Sequence, residues 1–287
     1  MPWWSKIIFK IILSRLPINY GQWVKMKVFR HGNIDNLWSP CKKFLLHFNN
    51  GYPEEKPQKF YCLELGPGDS VASGVIAKGL GASKTYLVDV GEYATHDIDY
   101  YRALCREMKK HNMPAPDLTG VNSFKDLLKV CNIEYLTDGI SSLSTIPTSS
   151  IDFIWSHSVL EHVRKNTFSD VVSEFRRVIV DTGRMSHNAD LKDHLGGALN
   201  NLRFPERFWE SDFMANSGFY TNRIQHQDML CQFKKGGFNI VKNEVARWDK
   251  LPTEISRMDS LFKNISVDEL RICTTHIKLE PAITDAQ

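Results

Sequence analysis

Eleven residues, Lys59-Phe60-Tyr61-Cys62-Leu63-Glu64-Leu65-Gly66-Pro67-Gly68-Asp69, limit the architecture of this chain more than any other stretch. An apolar run carrying Glu64 near its C-terminal end passes into a two-glycine loop, and a helix-like segment from Val71 to Gly79 follows. Glycines at 66 and 68 let the backbone turn tightly and come within contact distance of a ligand, which a Cβ would prevent. The helix start beyond them offers free N–H groups. The carboxylate beside the loop sets the sign of that ligand: it repels a pyrophosphate and suits a cation such as an ammonium or a sulfonium. The third glycine of a Gly-x-Gly-x-x-Gly fingerprint would fall at position 71, where this chain has Val71, so the dinucleotide pattern is not met.

From residue 57 onward strands and helices alternate, which points to a parallel sheet with crossover helices. Strands are predicted at 60–65, 84–89, 133–136, 151–156 and 184–189. Helices are predicted at 70–79, 97–111, 122–130 and 167–180. A helix at 221–235 ends at Gly236-Gly237. Two late strands, 238–245 and 270–279, enclose a helical segment at 253–263. Residues 1–56 read as an N-terminal helical extension, 57–280 as one α/β domain and 281–287 as a tail. The segment 195–221 is long for a connector and reads as a substrate cap inserted after the fifth strand.

The length of 287 residues suits one large α/β domain with additions, and a net charge of +3 gives no case for nucleic acid as a partner. Six cysteines lie scattered at 41, 62, 105, 131, 231 and 273 without metal-ligand spacing, as free thiols in a reducing compartment would. Near the N-terminus Trp3, Trp4, Ile7, Ile8, Ile11 and Ile12 recur at helical spacing beside Lys6, Lys10 and Ser14. A helix from Trp3 to Leu16 would be roughly 21 Å long, short of the ~30 Å hydrocarbon core of a bilayer. No small-residue cleavage site follows it, so a removed signal peptide is not expected. Such a helix either docks on its own domain or lies in a membrane interface through residues 3–16. The chain is expected to be cytoplasmic, with this segment as the place for peripheral membrane contact.

The first loop resembles the opening motif of the class I S-adenosylmethionine-dependent methyltransferases, Glu/Asp-x-Gly-x-Gly-x-Gly. Glu64, Gly66 and Gly68 match it, and Ser70 replaces the last glycine. The resemblance implies a doubly wound, mostly parallel seven-stranded sheet of order 3-2-1-4-5-7-6 with strand 7 antiparallel. It also implies S-adenosylmethionine as cofactor and S-adenosylhomocysteine as product, held where the strand order reverses. By the same resemblance Glu64, Gly66, Pro67 and Gly68 would meet the methionine and ribose portion. Asp89, 21 positions beyond Gly68, would hold the ribose diol. Asp138 and Gly139 would meet the adenine. Ser156 and His157, opening Ser156-His157-Ser158-Val159-Leu160-Glu161-His162-Val163, would meet the methionine amino group through the strand-end backbone.

Methyl transfer asks chiefly for alignment of a nucleophile behind the methyl, with a base where that nucleophile is a hydroxyl. Candidate bases are His157, Glu161 and His162 after strand 4, and His187, Asp190, Asp193 and His194 around the end of strand 5. His194, oriented by Asp193 or Asp190, is the favoured base, and His162 the second. Two histidines and two aspartates near one loop usually hydrogen-bond to one another, so no metal is expected. The mixture of Arg203, Arg207, Arg223, Phe204, Phe208, Trp209 and Asn200 after strand 5 suits a small-molecule or glycan-type acceptor with hydroxyl or anionic groups. Strand 4 is followed by Ser-His-Ser rather than Asn-Pro-Pro-Tyr, unlike the adenine and glutamine N-methyltransferases, and methylation at oxygen is expected. The alternatives are a catalytically silent protein of the same fold acting as a binding or scaffold partner, and, more remotely, a nicotinamide-dependent oxidoreductase or a spermidine-synthase-like enzyme. Oligomeric state is not legible.

Overall fold

The computed structural model describes residues 4–5 and 36–282. Most of the amphipathic segment 3–16 therefore lies outside the described residues. Among the described residues no helix is long and apolar enough to cross a membrane.

Strands β1 (Phe60–Leu65), β2 (Ala82–Val88), β3 (Ile133–Leu136) and β4 (Ile151–His157) pair in parallel. β1 lies between β2 and β4, and Cys62, Leu63, Glu64 and Leu65 are all buried, so its sequence is nearly continuous apolar rather than alternating. β5 (Ile179–Asp190) runs in the direction of β4: the N–H groups of Ser150 and Ser158 reach the carbonyls of Val178 and Asn188, the two numbers rising together. β7 (Ile272–Pro281) is antiparallel to β5. Leu191 pairs with Cys273, Asn188 with Thr275 and Arg184 with Glu280, so one number falls as the other rises. β6 (Phe238–Arg247) pairs with β7 in the same reversed sense, through Trp248 to Arg271 and Thr275 to Asn243. The order β3-β2-β1-β4-β5-β7-β6 is the one the resemblance implies.

The described residues fall into two compact units. The first comprises residues 36–157, 174–186 and 278–282. Its helices are α1 (Trp38–Gly51), α2 (Ala72–Gly79), α3 (Ile98–Lys110) and α4 (Phe124–Cys131). α1 lies within the segment read as an extension, and its Cys41, Phe44 and Phe48 are buried in the main core. Phe44 meets Trp155 edge-on at 5.6 Å and Phe48 lies 5.0 Å from Phe60, ring centre to ring centre. Each such ring contributes on the order of 1.5–3 kcal/mol by leaving water. α3 begins at Asp97, whose carboxylate accepts from the Asp99 N–H at 3.0 Å, and α4 at Ser123, whose hydroxyl accepts from the Asp126 N–H at 3.1 Å.

The second unit comprises residues 158–173 and 187–277. α5 (Phe168–Val178) has residues in both units and passes straight into β5, so β5 starts at 179 rather than the expected 184. The run Val178-Ile179-Val180 is β-branched, and strand geometry takes it in preference to another helical turn. Within 195–221 stand two single-turn helices, α6 (Glu206–Trp209) and α7 (Asp212–Ala215), packed around buried Trp209, Met214 and Phe219. α8 covers His226–Lys235, shorter than the expected 221–235. Residues 221–225 stay outside the helix because Asn222 donates to the carbonyls of Leu160 and Val163, both at 2.8 Å, and Arg223 takes a left-handed φ of 58°. The expected helix at 253–263 is two 3-10 turns, Ile255–Arg257 and Ser260–Phe262, followed by a short α9 (Val267–Leu270).

Candidate functional site

In the first unit the C-terminal ends of β1 to β3 are tied into one rim. Gly66 and Gly68 take φ of 75° and 69°, the left-handed region that glycine enters without steric cost. The Gly66 N–H donates to the Val88 carbonyl at 2.8 Å, and the Gly68 N–H to Asp89 Oδ2 at 2.9 Å. Asp89 Oδ1 accepts from the Val90 N–H at 2.7 Å, and its backbone carbonyl accepts from the Gly139 N–H at 2.8 Å. One aspartate thus holds the glycine loop, the end of β2 and the turn after β3 in register. Ser70 is not left-handed, so the backbone there does not require the glycine of the family motif.

A cleft of about 650 Å³, counting its open mouth, lies over this loop. Glu64, Gly66, Pro67 and His157 line it, with Asp69, Ser70 and Ser73 from the loop and α2, Trp155 from β4, Tyr100 from α3, and Ser39 and Lys43 from α1. Gly68, Asp89, Ser156, Asp138 and Gly139 do not line it: Asp89 and Ser156 are buried behind the wall, and Asp138 is exposed beyond β3. Glu64 is buried and accepts from the Ser73 hydroxyl. Burial pushes its carboxyl up to about 8; Ser73 opposes the shift, Asp89 adds to it and Lys43 opposes it. A carboxyl in that state becomes a better anion when a cation arrives beside it.

His157 ends β4 on the cleft wall and is linked inward. Its Nδ1 lies 3.0 Å from His47 Nε2, and His47 Nδ1 lies 2.9 Å from Ser186 Oγ, which also accepts from Asn50 at 3.3 Å. His47 is fully buried. The sequence reading missed His47, Lys43, Ser39 and Tyr100; the apolar spacing of Phe44 and Phe48, which marks α1 as core-facing, was the available signal.

In the second unit, Asp193 is a loop builder. It is buried, and its two oxygens accept six hydrogen bonds of 2.6–3.2 Å, from the N–H groups of Leu195, Gly196, Gly197, Ala198 and Asn200 and from the Asn200 side chain. Asp190 Oδ1 accepts from the Lys192 N–H at 3.0 Å and pairs with the Lys192 ammonium at 3.1 Å. The expectation that one of these aspartates orients His194 meets no support in these bonds. His187 is fully buried, stacked on Phe233 at 5.7 Å, and burial pushes it down to about 3 with His276 adding, so it stays neutral in the core. His162 and His194 do meet, ring centres 4.7 Å apart, and Glu161 lies beside them. Arg223, expected to greet an anionic acceptor, is buried and pairs with Glu206 at 2.5 Å while donating to the Phe204 carbonyl at 2.7 Å. Its charge is used inside the cap.

A doubly wound sheet in this order, with an acidic strand end running into a two-glycine turn, defines a Rossmann-like class of nucleoside-binding α/β proteins. Residues 63–186 match a family model described as a methyltransferase domain, and the match supports the class I S-adenosylmethionine-dependent methyltransferase reading of that part of the chain. Solved structures similar to it include an S-adenosylmethionine-dependent methyltransferase from Methanosarcina mazei, 16% identical, covering 79% of this chain and 95% of that one with a TM-score of 0.48. A putative S-adenosylmethionine-dependent methyltransferase from Listeria monocytogenes is 16% identical and covers 87% and 98%, TM-score 0.45. One from Mesorhizobium loti is 15% identical and covers 86% and 100%, TM-score 0.46. No curated protein matches the sequence.

Proposed function

We propose that the protein transfers the methyl group of S-adenosylmethionine to an oxygen of a small-molecule or glycan-type acceptor. The observation that carries this reading is the cradle made by Glu64, the left-handed Gly66 and Gly68, and Asp89 behind them. Glu64 meets the positive end of the cofactor, its ammonium and sulfonium. The half-buried loop at Gly66 and Gly68, with Pro67, meets the methionine and ribose. Asp89 takes the ribose hydroxyls, Asp138 and Gly139 the adenine, and the backbone at Ser156 and His157 the amino group.

The chemistry is an in-line displacement. The acceptor oxygen forms its bond to the methyl carbon as the carbon–sulfur bond breaks, its electron pair passing to sulfur, and the hydroxyl proton leaves. Alignment supplies up to roughly 7–11 kcal/mol in such reactions. Among the described residues His157 is the histidine on the cofactor cleft, and we assign it the proton. When its Nε2 accepts that proton, Nδ1–H donates to His47 Nε2 and His47 Nδ1–H to Ser186, so the chain holds the ring and spreads the charge. Oxygen as the acceptor atom is supported by a narrow polar recess in the second unit, walled by Glu161, Asn201, Thr221, Asn222 and Arg223. The buried Asn201 Oδ1 and Arg223 Nε there have no hydrogen-bond partner among the described residues.

Calorimetry with S-adenosylhomocysteine, followed by a radiolabelled-methyl screen of hydroxylated acceptors, tests the reading. The wild type should bind, and Asp89→Ala should bind more weakly by about 1–3 kcal/mol, the cost of unpaired ribose hydroxyls and an untied glycine loop. Absence of binding by the wild type overturns the proposal. Binding without methylation of any acceptor leaves the silent-scaffold alternative.

A further inference from the structure

We propose that Glu161, His162 and His194 form a binding site for a divalent first-row transition-metal ion. One donor atom from each lies within 4.8 Å of the other two. The site departs from the sequence expectation, which weighed His187, Asp190, Asp193 and His194 as ligands and not this set.

Three observations point the same way. First, Glu161 is 1% exposed and neither of its oxygens has a hydrogen-bond partner among the described residues. A buried carboxyl without a partner is unfavourable unless something charged completes it. Secondly, His162 Nδ1 lies 2.8 Å from the Tyr220 carbonyl, which only accepts, so Nδ1 carries the proton and Nε2 the lone pair. A ligating histidine is commonly held by its other nitrogen in this way. Thirdly, His194 follows directly on Asp193, whose six hydrogen bonds fix the loop from which the ring is presented.

Two imidazole nitrogens and one carboxylate oxygen suit zinc, manganese, iron or cobalt better than magnesium or calcium, which prefer oxygen throughout. Three protein ligands leave coordination positions open. Metal–ligand distances of ~2.0–2.2 Å put ligand atoms closer together than 4.8 Å. Binding therefore draws the exposed His162 ring and the half-buried His194 ring inward. Glu161 also lines a narrow polar recess of the second unit, from which the ion can be reached. The binding does not rest on the methyl-transfer reading.

The test strips the full-length protein with a chelator, then titrates it with Mn²⁺ and with Zn²⁺ by calorimetry, reading Mn²⁺ also by electron paramagnetic resonance. The wild type should bind one ion and gain thermal stability from it. His194→Ala and the exposed-site variant His162→Gln should bind at least tenfold more weakly. S-adenosylhomocysteine affinity, measured on every protein, should stay within twofold of wild type and reports folding. Metal affinity equal in wild type and both variants, or no binding by the wild type, overturns the site. Loss of metal binding beside intact S-adenosylhomocysteine binding in the wild type removes this proposal alone; the reverse pattern removes the methyl-transfer reading and keeps the ion.

Discussion

Glu64 in the first unit and Glu161 in the second are both buried carboxyls pushed up to about 8 by burial, yet they are furnished differently. Glu64 accepts from Ser73 and has Lys43 nearby; Glu161 has no hydrogen-bond partner among the described residues. The first sits in a rim already braced by backbone bonds to Asp89, and a ligand need only lie down in it. The second is one corner of a group incomplete without a guest. Asp193, in the same unit as Glu161, shows what a buried carboxylate becomes when backbone donors surround it: a fixed part of the scaffold. Partners, not burial, separate structural carboxylates from those that await a ligand.

The largest effect expected on that contrast is Asp193→Ala. It strips acceptors from six donors at once, each lost buried bond costing about 1–3 kcal/mol before relaxation, so about 3 kcal/mol or more of stability should go. A urea midpoint unchanged from wild type would mean the loop is held by something else.

Second in size is a pH effect on metal-free protein. Glu64 and Glu161 release their protons near 4.5 when unfolded but only near 8 when folded. Between those values the folded chain binds more protons, so stability is full below about pH 4.5, falls through 8 and levels beyond. Glu161→Gln removes one of the two groups, and should make the protein more stable than wild type at pH 8.5 by on the order of 1–3 kcal/mol, with little difference at pH 5. Parallel pH profiles of melting temperature in the two proteins would show that Glu161 is partnered after all.

Third comes His157→Asn, which should lower turnover by roughly 10²-fold with cofactor affinity nearly kept. His47→Gln should move the pH–rate profile without abolishing it, since His47 joins His157 to Ser186 in the chain of bonds that reaches the cleft. Unaltered profiles would return both rings to a purely structural role.

The two halves of this comparison were unequally legible in the sequence. Glu64, Gly66 and Gly68 share one turn, and Asp89 ends the neighbouring strand, so local spacing together with parallel pairing implies their meeting. The sheet order came instead from the resemblance of that loop to a known family, not from spacing. Lys43, Ser39 and His47 reach the site because α1 packs Phe44 and Phe48 on β1 and β4, a tertiary event that local spacing does not encode. Asp193 and His194 were read together as a base and its partner because they are adjacent. The backbone turns Asp193 back into its own loop, while His194 meets His162, 32 positions earlier. Residue type indicated the chemistry; which carboxylate was already satisfied could only be seen in three dimensions.

The smallest effect concerns the departure from the family motif. Ser70 stands where a third glycine is usual, yet its φ is not left-handed and its hydroxyl lies beside the Tyr100 phenol, where it helps hold that proton's acidity up against burial. Ser70→Gly should therefore gain nothing at the loop and lose backbone restraint, destabilising by about 0.5–1 kcal/mol and changing S-adenosylhomocysteine affinity less than twofold. A gain in affinity of tenfold or more would mean that the serine side chain obstructs the cleft, and that the rim of β1 is less ready for its ligand than its hydrogen bonds make it.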